Sequence, residues 1–218
     1  RFLGFDPSDV TRYAVEKGYD VERDFFSAEL LRSRCSGARA RVITSIAMFY
    51  DLEDPAAFVH DVADSLAEDG VWVMELHYLP SMLESNAFDV IVHEHLEYYS
   101  LAVLERLVGQ AGLEVLAGEL NDVNGGSVRL LIAHAGKRTA APEDAERLEA
   151  LRARESELAL DSPEPYERFA SGVERVRSDL KELCESTVAA GETIHVYGAS
   201  TKGNTILQYV GLDRRLIP

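Results

Sequence analysis

The sequence predicts an α/β protein: a doubly wound, mostly parallel sheet that ends in an antiparallel hairpin, then helices, then the start of a second strand–loop–helix unit. Three observations carry this. Between Phe2 and Gln110, short apolar runs alternate with helical stretches, the pattern of strands joined by helical crossovers. Two strand-like runs, 113–120 and 127–134, flank the turn-rich Asn121-Asp122-Val123-Asn124-Gly125-Gly126, as in a hairpin. From Pro142 to Ala190 the chain turns to Glu, Arg and Ala around sparse leucines and valines, one apolar stripe per helix.

The elements follow in order. Phe2–Phe5 reads as a short strand stopped by Asp6-Pro7-Ser8, and residues 8–18 as a helix ending at Gly18, a residue favoured just past helix ends. Arg41–Ala47 is short, β-branched and apolar on both faces, as expected of a buried parallel strand. Asp54-Pro55 opens a helix with Phe58, Val59, Val62 and Leu66 on one side, ended by Asp69-Gly70; Val71–Glu75 is the next strand. Ser100 caps a helix carrying Leu101, Leu104, Leu107 and Val108. After the hairpin, two packed linker helices fit residues 142–190 better than a coiled coil. Ile194–Tyr197 is strand-like, Ile206–Tyr209 helical, and Leu216-Ile217-Pro218 begins another strand. The predicted divisions are 1–136, 137–190 and 191–218.

The formal net charge of −16, from 22 Lys+Arg against 38 Asp+Glu, disfavours nucleic acid and anionic membranes as partners. Cys35 and Cys184 stand far apart with no zinc or disulfide spacing, which suits a reducing, cytoplasmic setting. No apolar run is long enough to span a bilayer, and the N-terminus is no signal peptide.

Chemistry concentrates in His93-Glu94-His95-Leu96-Glu97-Tyr98-Tyr99. Two imidazoles, two carboxylates and two phenols behind an apolar run are equipment for moving a proton near neutral pH. The plainer reading is a polar turn whose histidines serve structure. A second feature is Gly198-Ala199-Ser200-Thr201-Lys202-Gly203-Asn204-Thr205 between a strand and a helix. Amide N–H groups, a helix dipole and a lysine converge there as an anion cradle, although lysine before glycine is not the P-loop order.

These blocks, with Gly4-Phe5-Asp6-Pro7-Ser8, Asp24-Phe25-Phe26-Ser27-Ala28-Glu29, Ile43-Thr44-Ser45-Ile46-Ala47-Met48-Phe49-Tyr50, Glu75-Leu76-His77-Tyr78-Leu79-Pro80 and Asn124-Gly125-Gly126-Ser127-Val128-Arg129, occur in a telling order. The chain resembles the class I S-adenosylmethionine-dependent methyltransferases, Rossmann-like in fold, and within them the nucleotide-sugar C-methyltransferases. The resemblance implies S-adenosylmethionine as cofactor, with Asp6 on the ribose hydroxyls, Asp24 and Phe25 bordering the adenine, and Ser45 to Ala47 beneath the methionine part. It implies a keto nucleotide sugar as acceptor. His95 would remove the proton beside the ketone, and Glu94 would hold a sugar hydroxyl or orient an imidazole. His93 is the third member of that loop. On the acceptor side stand Tyr78, Asn86, Asn124, Gly203 and, near the phosphates, Lys202 and Asn204.

The chain departs from the sugar enzymes at Val92, where they carry tyrosine, and at Tyr50, where they carry histidine. Both changes fit a sister branch. The family's glycine-rich cofactor loop and its zinc module, the only place for a metal, should lie upstream of Arg1. The chain therefore reads as an internal piece of a longer enzyme, inactive by itself. Two other readings are a scaffold with a degenerate methyltransferase fold and an oxygenase whose iron or zinc is held by His77, His93, Glu94 and His95.

Overall fold

The computed structural model describes residues 2–198 and 200–217; Ala199 of the glycine loop and Pro218, the end of the run expected to begin a strand, lie outside the described residues. The architecture is α/β with a mixed sheet. β1 (Gly4–Phe5) and β2 (Val21–Glu22) pair in parallel around α1 (Thr11–Glu16). The main sheet has four strands in the order β3-β4-β6-β5. β3 (Ala40–Ile46) runs parallel to β4 (Leu66–His77), and β6 (Ser127–His134) is antiparallel to both β4 and β5 (Leu113–Asn121). The antiparallel hairpin is thus present, on a main sheet in which β3 and β4 make the parallel pair.

One face of this sheet is the core. Trp72, Met74 and Leu76 stand opposite Ile132, Leu130 and Val128, and all six are essentially without solvent contact. Alternation sends their neighbours to the other face. α3 (Pro55–Ser65) and α5 (Leu101–Gln110) cover the apolar face with Val59, Val62, Leu101, Leu104 and Val108. Ser100 accepts the Val103 N–H at 3.3 Å as the expected cap. α6 (Pro142–Leu158) joins the same core: Leu148 and Leu151 lie over Gly118, where an added Cβ would sit 2.9 Å from Leu151. The opposite face carries Glu75, Arg129 and Glu119 in register across three strands and ion-paired, next to the apolar Val73 and Leu131.

Phe5, Phe26, Phe58 and Trp72 form a chain of ring contacts at 5.2, 5.5 and 6.2 Å. It ties the β1–β2 ladder to the main sheet, since no hydrogen-bonded ladder joins the two among the described residues. β3 is consequently an edge strand with Val42 and Ile46 more than half exposed, so its predicted burial does not hold although its parallel pairing does. α3 stops at Ser65, short of the predicted Asp69-Gly70, because Leu66 pairs with Ala40 and starts β4 early. Ile194–Tyr197 forms no strand or helix and pairs with nothing among the described residues, and Leu216 lies in a turn, its N–H bonded to Asp213 O at 3.0 Å. β-branched residues make a strand only beside a partner. α7 (Glu164–Ala189) and α8 (Thr201–Val210) complete the chain. No helix among the described residues is long and apolar enough to cross a membrane.

Candidate active site

Three rings meet where β3 and β4 end. Tyr50 follows β3, His77 is the last residue of β4, and His95 comes from the loop before α5. The Tyr50 ring centroid lies 4.4 Å from that of His95 and 5.2 Å from that of His77, and the two imidazoles are 5.4 Å apart. The His95 loop is stapled in place. Leu96 and Glu97 N–H groups donate to Tyr50 O at 2.9 and 3.2 Å, and Leu79 N–H donates to Tyr99 O at 3.0 Å. His95 Nδ1 lies 2.8 Å from Val90 O. A carbonyl only accepts, so Nδ1 carries hydrogen, and in the neutral ring the lone pair falls on Nε2.

Burial sets the electrostatics. It pushes the Tyr50 phenol up to about 12, with the Asp51 charge adding to it. Burial first, then the charges of Lys202 and His95, bring His77 down to about 4, against a smaller pull from Asp89. Asp51 is raised by burial and by Glu94, and lowered by His95. At pH 7 the centre therefore holds a neutral phenol and a neutral His77. Glu94 reaches this field through Asp51. His93 is exposed and makes no ring contact or hydrogen bond among the described residues. No three His, Cys, Asp or Glu side chains come together for a metal ion among them either, so the oxygenase ligand set of His77, His93, Glu94 and His95 does not assemble.

The cofactor-side candidates line strand ends. Asp6 follows β1; its Oδ1 accepts the Ser8 N–H and O–H at 2.8 and 2.5 Å, and these bonds hold the carboxyl below the usual carboxylate range. Asp24 follows β2, accepts the Phe25 N–H at 2.8 Å, and leaves the Phe25 ring 72% exposed. Ala47 adopts a left-handed φ of 53° with its N–H on Glu75 O at 2.9 Å. The buried Ser45 hydroxyl accepts the Trp72 indole N–H at 2.9 Å, which leaves its main chain as the part that can face a ligand.

Among the acceptor-side candidates, Lys202 is brought to the centre. Its Nζ donates to Asn124 O at 2.9 Å, and its charge acts on His77. α8 is held there by Tyr209, whose ring lies 5.2 Å from Phe88. The cradle itself is partly spent, because the Gly203 N–H donates to Ser200 Oγ and the Asn204 N–H to Ser200 O. Tyr78 is not brought to the centre: it is fully buried and its O–H donates to Glu155 at 2.8 Å. Asn86 packs so tightly on Gly172 of α7 that a Cβ there would lie 2.2 Å from its Oδ1. His77, weighed above only as a metal ligand, is the residue that sequence reasoning missed. Its signal was its place with Glu75 on alternate positions at a strand's C-terminal end, where α/β sheets bind ligands.

Residues 1–117 match the family described as "Methyltransferase domain". The chain belongs to that family. Residues 122–218 of this methyltransferase chain match "C-methyltransferase C-terminal domain". It is 33% identical over 220 residues to the C-methyltransferase NovU of Streptomyces niveus, covering 100% of itself and 51% of NovU; it spans about half the length of that curated relative. Among solved structures, LepI in complex with SAM aligns at a TM-score of 0.48 and 13% identity, covering 62% of this chain and 36% of LepI. A S-adenosylmethionine-dependent methyltransferase from Clostridium acetobutylicum aligns at 0.45 and 12%, covering 62% and 75%.

Proposed function

We propose that this protein transfers a methyl group from S-adenosylmethionine to a carbon beside a ketone, on an acceptor of the keto nucleotide-sugar class, with His95 as the base. The observation that carries this is the bond from His95 Nδ1 to Val90 O. It holds one tautomer and leaves Nε2 as a base beside a second, neutral imidazole. Enolate formation at a carbon needs such a base and a place for the developing oxygen charge.

The residues present fit the cofactor. The Asp6 Oδ2 carries no bond from Ser8 and suits a vicinal diol. The exposed Phe25 ring suits a purine edge, and the main chain at 45–47 passes where the methionine part would lie. S-adenosylmethionine, when bound, supplies an electrophilic methyl carbon. The chain does the rest. His95 Nε2 takes the proton, Glu94 holds a hydroxyl of the acceptor from the rim, and Lys202 attracts its phosphates. The relation to NovU, named a C-methyltransferase, supports carbon as the methylated atom.

The test uses the full-length protein with thymidine diphosphate-4-keto-6-deoxyglucose as acceptor. His95→Ala lowers methyl transfer ~10²–10⁴-fold and leaves S-adenosylmethionine affinity, measured by calorimetry, unchanged. A variant that turns over at the parent rate removes His95 from the chemistry.

A further inference from the structure

His77 is 8% exposed, yet neither ring nitrogen has a hydrogen-bond partner among the described residues. The buried side-chain atoms lacking both partner and solvent are Ser65 Oγ and Tyr99 Oη, so the His77 nitrogens keep a small open surface. That surface belongs to the centre: the ring lies 5.2 Å from Tyr50 and 5.4 Å from His95, and Lys202, His95 and Asp89 are the charged groups that act on it. A buried imidazole without partners is costly unless a ligand supplies one.

We propose that His77 donates a hydrogen bond to the acceptor's carbonyl oxygen and stabilises the enolate that His95 generates, an inference that rests on the ketone reading above. The 5.4 Å between ring centroids places one imidazole at the C–H and the other at the oxygen of the adjacent carbonyl. Burial and the neighbouring charges keep His77 neutral, and a neutral imidazole can polarise a carbonyl without giving up its proton. The step balances. The C–H bond breaks, its proton passes to His95 Nε2, and the electron pair forms the enolate, whose oxygen takes the charge beside the His77 N–H. On methyl transfer a C–C bond forms, the carbonyl returns, and the sulfonium leaves as a neutral thioether. His95 then releases its proton to solvent.

Deuterium uptake separates this inference from the reading it rests on. The full-length protein is held in D₂O with S-adenosylhomocysteine and thymidine diphosphate-4-keto-6-deoxyglucose, and exchange beside the ketone is followed by NMR. The parent enzyme exchanges; if it does not, the ketone reading falls and this inference with it. His77→Leu, which fills the space without a donor, slows exchange ~10²–10³-fold. His77→Gln, which keeps an N–H donor, recovers a large part of that loss. Melting curves identify the folded variants. Parent-rate exchange in His77→Leu, or equal slow rates in folded Leu and Gln variants, overturns the role.

Discussion

The histidine centre and the cofactor-side residues both follow the C-terminal ends of strands, but they are held in opposite ways. His95 has one ring nitrogen tied to Val90 O, its loop bonded twice to Tyr50 O, and the end of that loop fastened through Tyr99. Phe25 is 72% exposed, Asp24 bonds to its own neighbour, and Ala47 stands exposed in a left-handed conformation. Proton transfer from carbon fails when the base is misplaced by an ångström, so that end is rigid before anything binds. A large cofactor supplies its own contacts, and the residues proposed to receive it leave apolar and polar surface open.

The largest effect tests the rigid end from behind. Glu155 of α6 is 7% exposed and accepts the Leu101 and Ala102 N–H groups and the Tyr78 O–H. It thereby caps α5 just where the His95 loop ends. Glu155→Ala strands these buried donors and lowers stability by about 3 kcal/mol in urea titration, whereas Phe25→Ala at the open end changes it by less than about 0.5 kcal/mol. A similar small loss in both would erase the distinction.

The contrast sharpens with pH. The folded value of His77 is depressed to about 4 from 6.5, so the unfolded chain binds more protons between those values. Stability from this residue is full above pH 6.5 and falls as the pH drops toward 4. His77→Gln therefore shows a shallower loss of stability than the parent across pH 6.5 to 4 in urea titrations. Parallel curves would mean that His77 is not held neutral by its surroundings.

What could be read from sequence was local. Asn121–Gly126 announces its hairpin, and Ser100 its helix, because turn and cap chemistry act within a few residues. The His93–Tyr99 loop announces proton chemistry through residue type alone. What could not be read depends on distant partners. Leu66 leaves its helix because Ala40 pairs with it, and Asn86 turns from the acceptor side because Gly172 admits it to a helix contact. The strand-like Ile194–Tyr197 finds no neighbour among the described residues. His77 and Tyr78 are adjacent, and only the pleat decides that His77 joins the centre while Tyr78 enters the core.

The smallest effect concerns the open end. Ala47 holds a φ of 53°, a region that costs an L-residue roughly 1–2 kcal/mol. Its N–H is fixed on Glu75 O, and Glu75 is itself locked by Arg129 and Asn121 at 2.7 and 3.1 Å. The strain is thus imposed by the rigid sheet and expressed at the cofactor edge, as strained residues at ligand sites often are. Ala47→Gly removes the steric penalty but adds freedom to the unfolded chain, so the net gain is at most about 1 kcal/mol. S-adenosylmethionine affinity in the full-length protein should hold or fall slightly, because the turn proposed to lie beneath the methionine part loses its set shape. A clear loss of stability in the glycine variant would show that the Ala47 methyl packs where the exposed position offers it no partner, and that the open end is more rigid than its exposure implies.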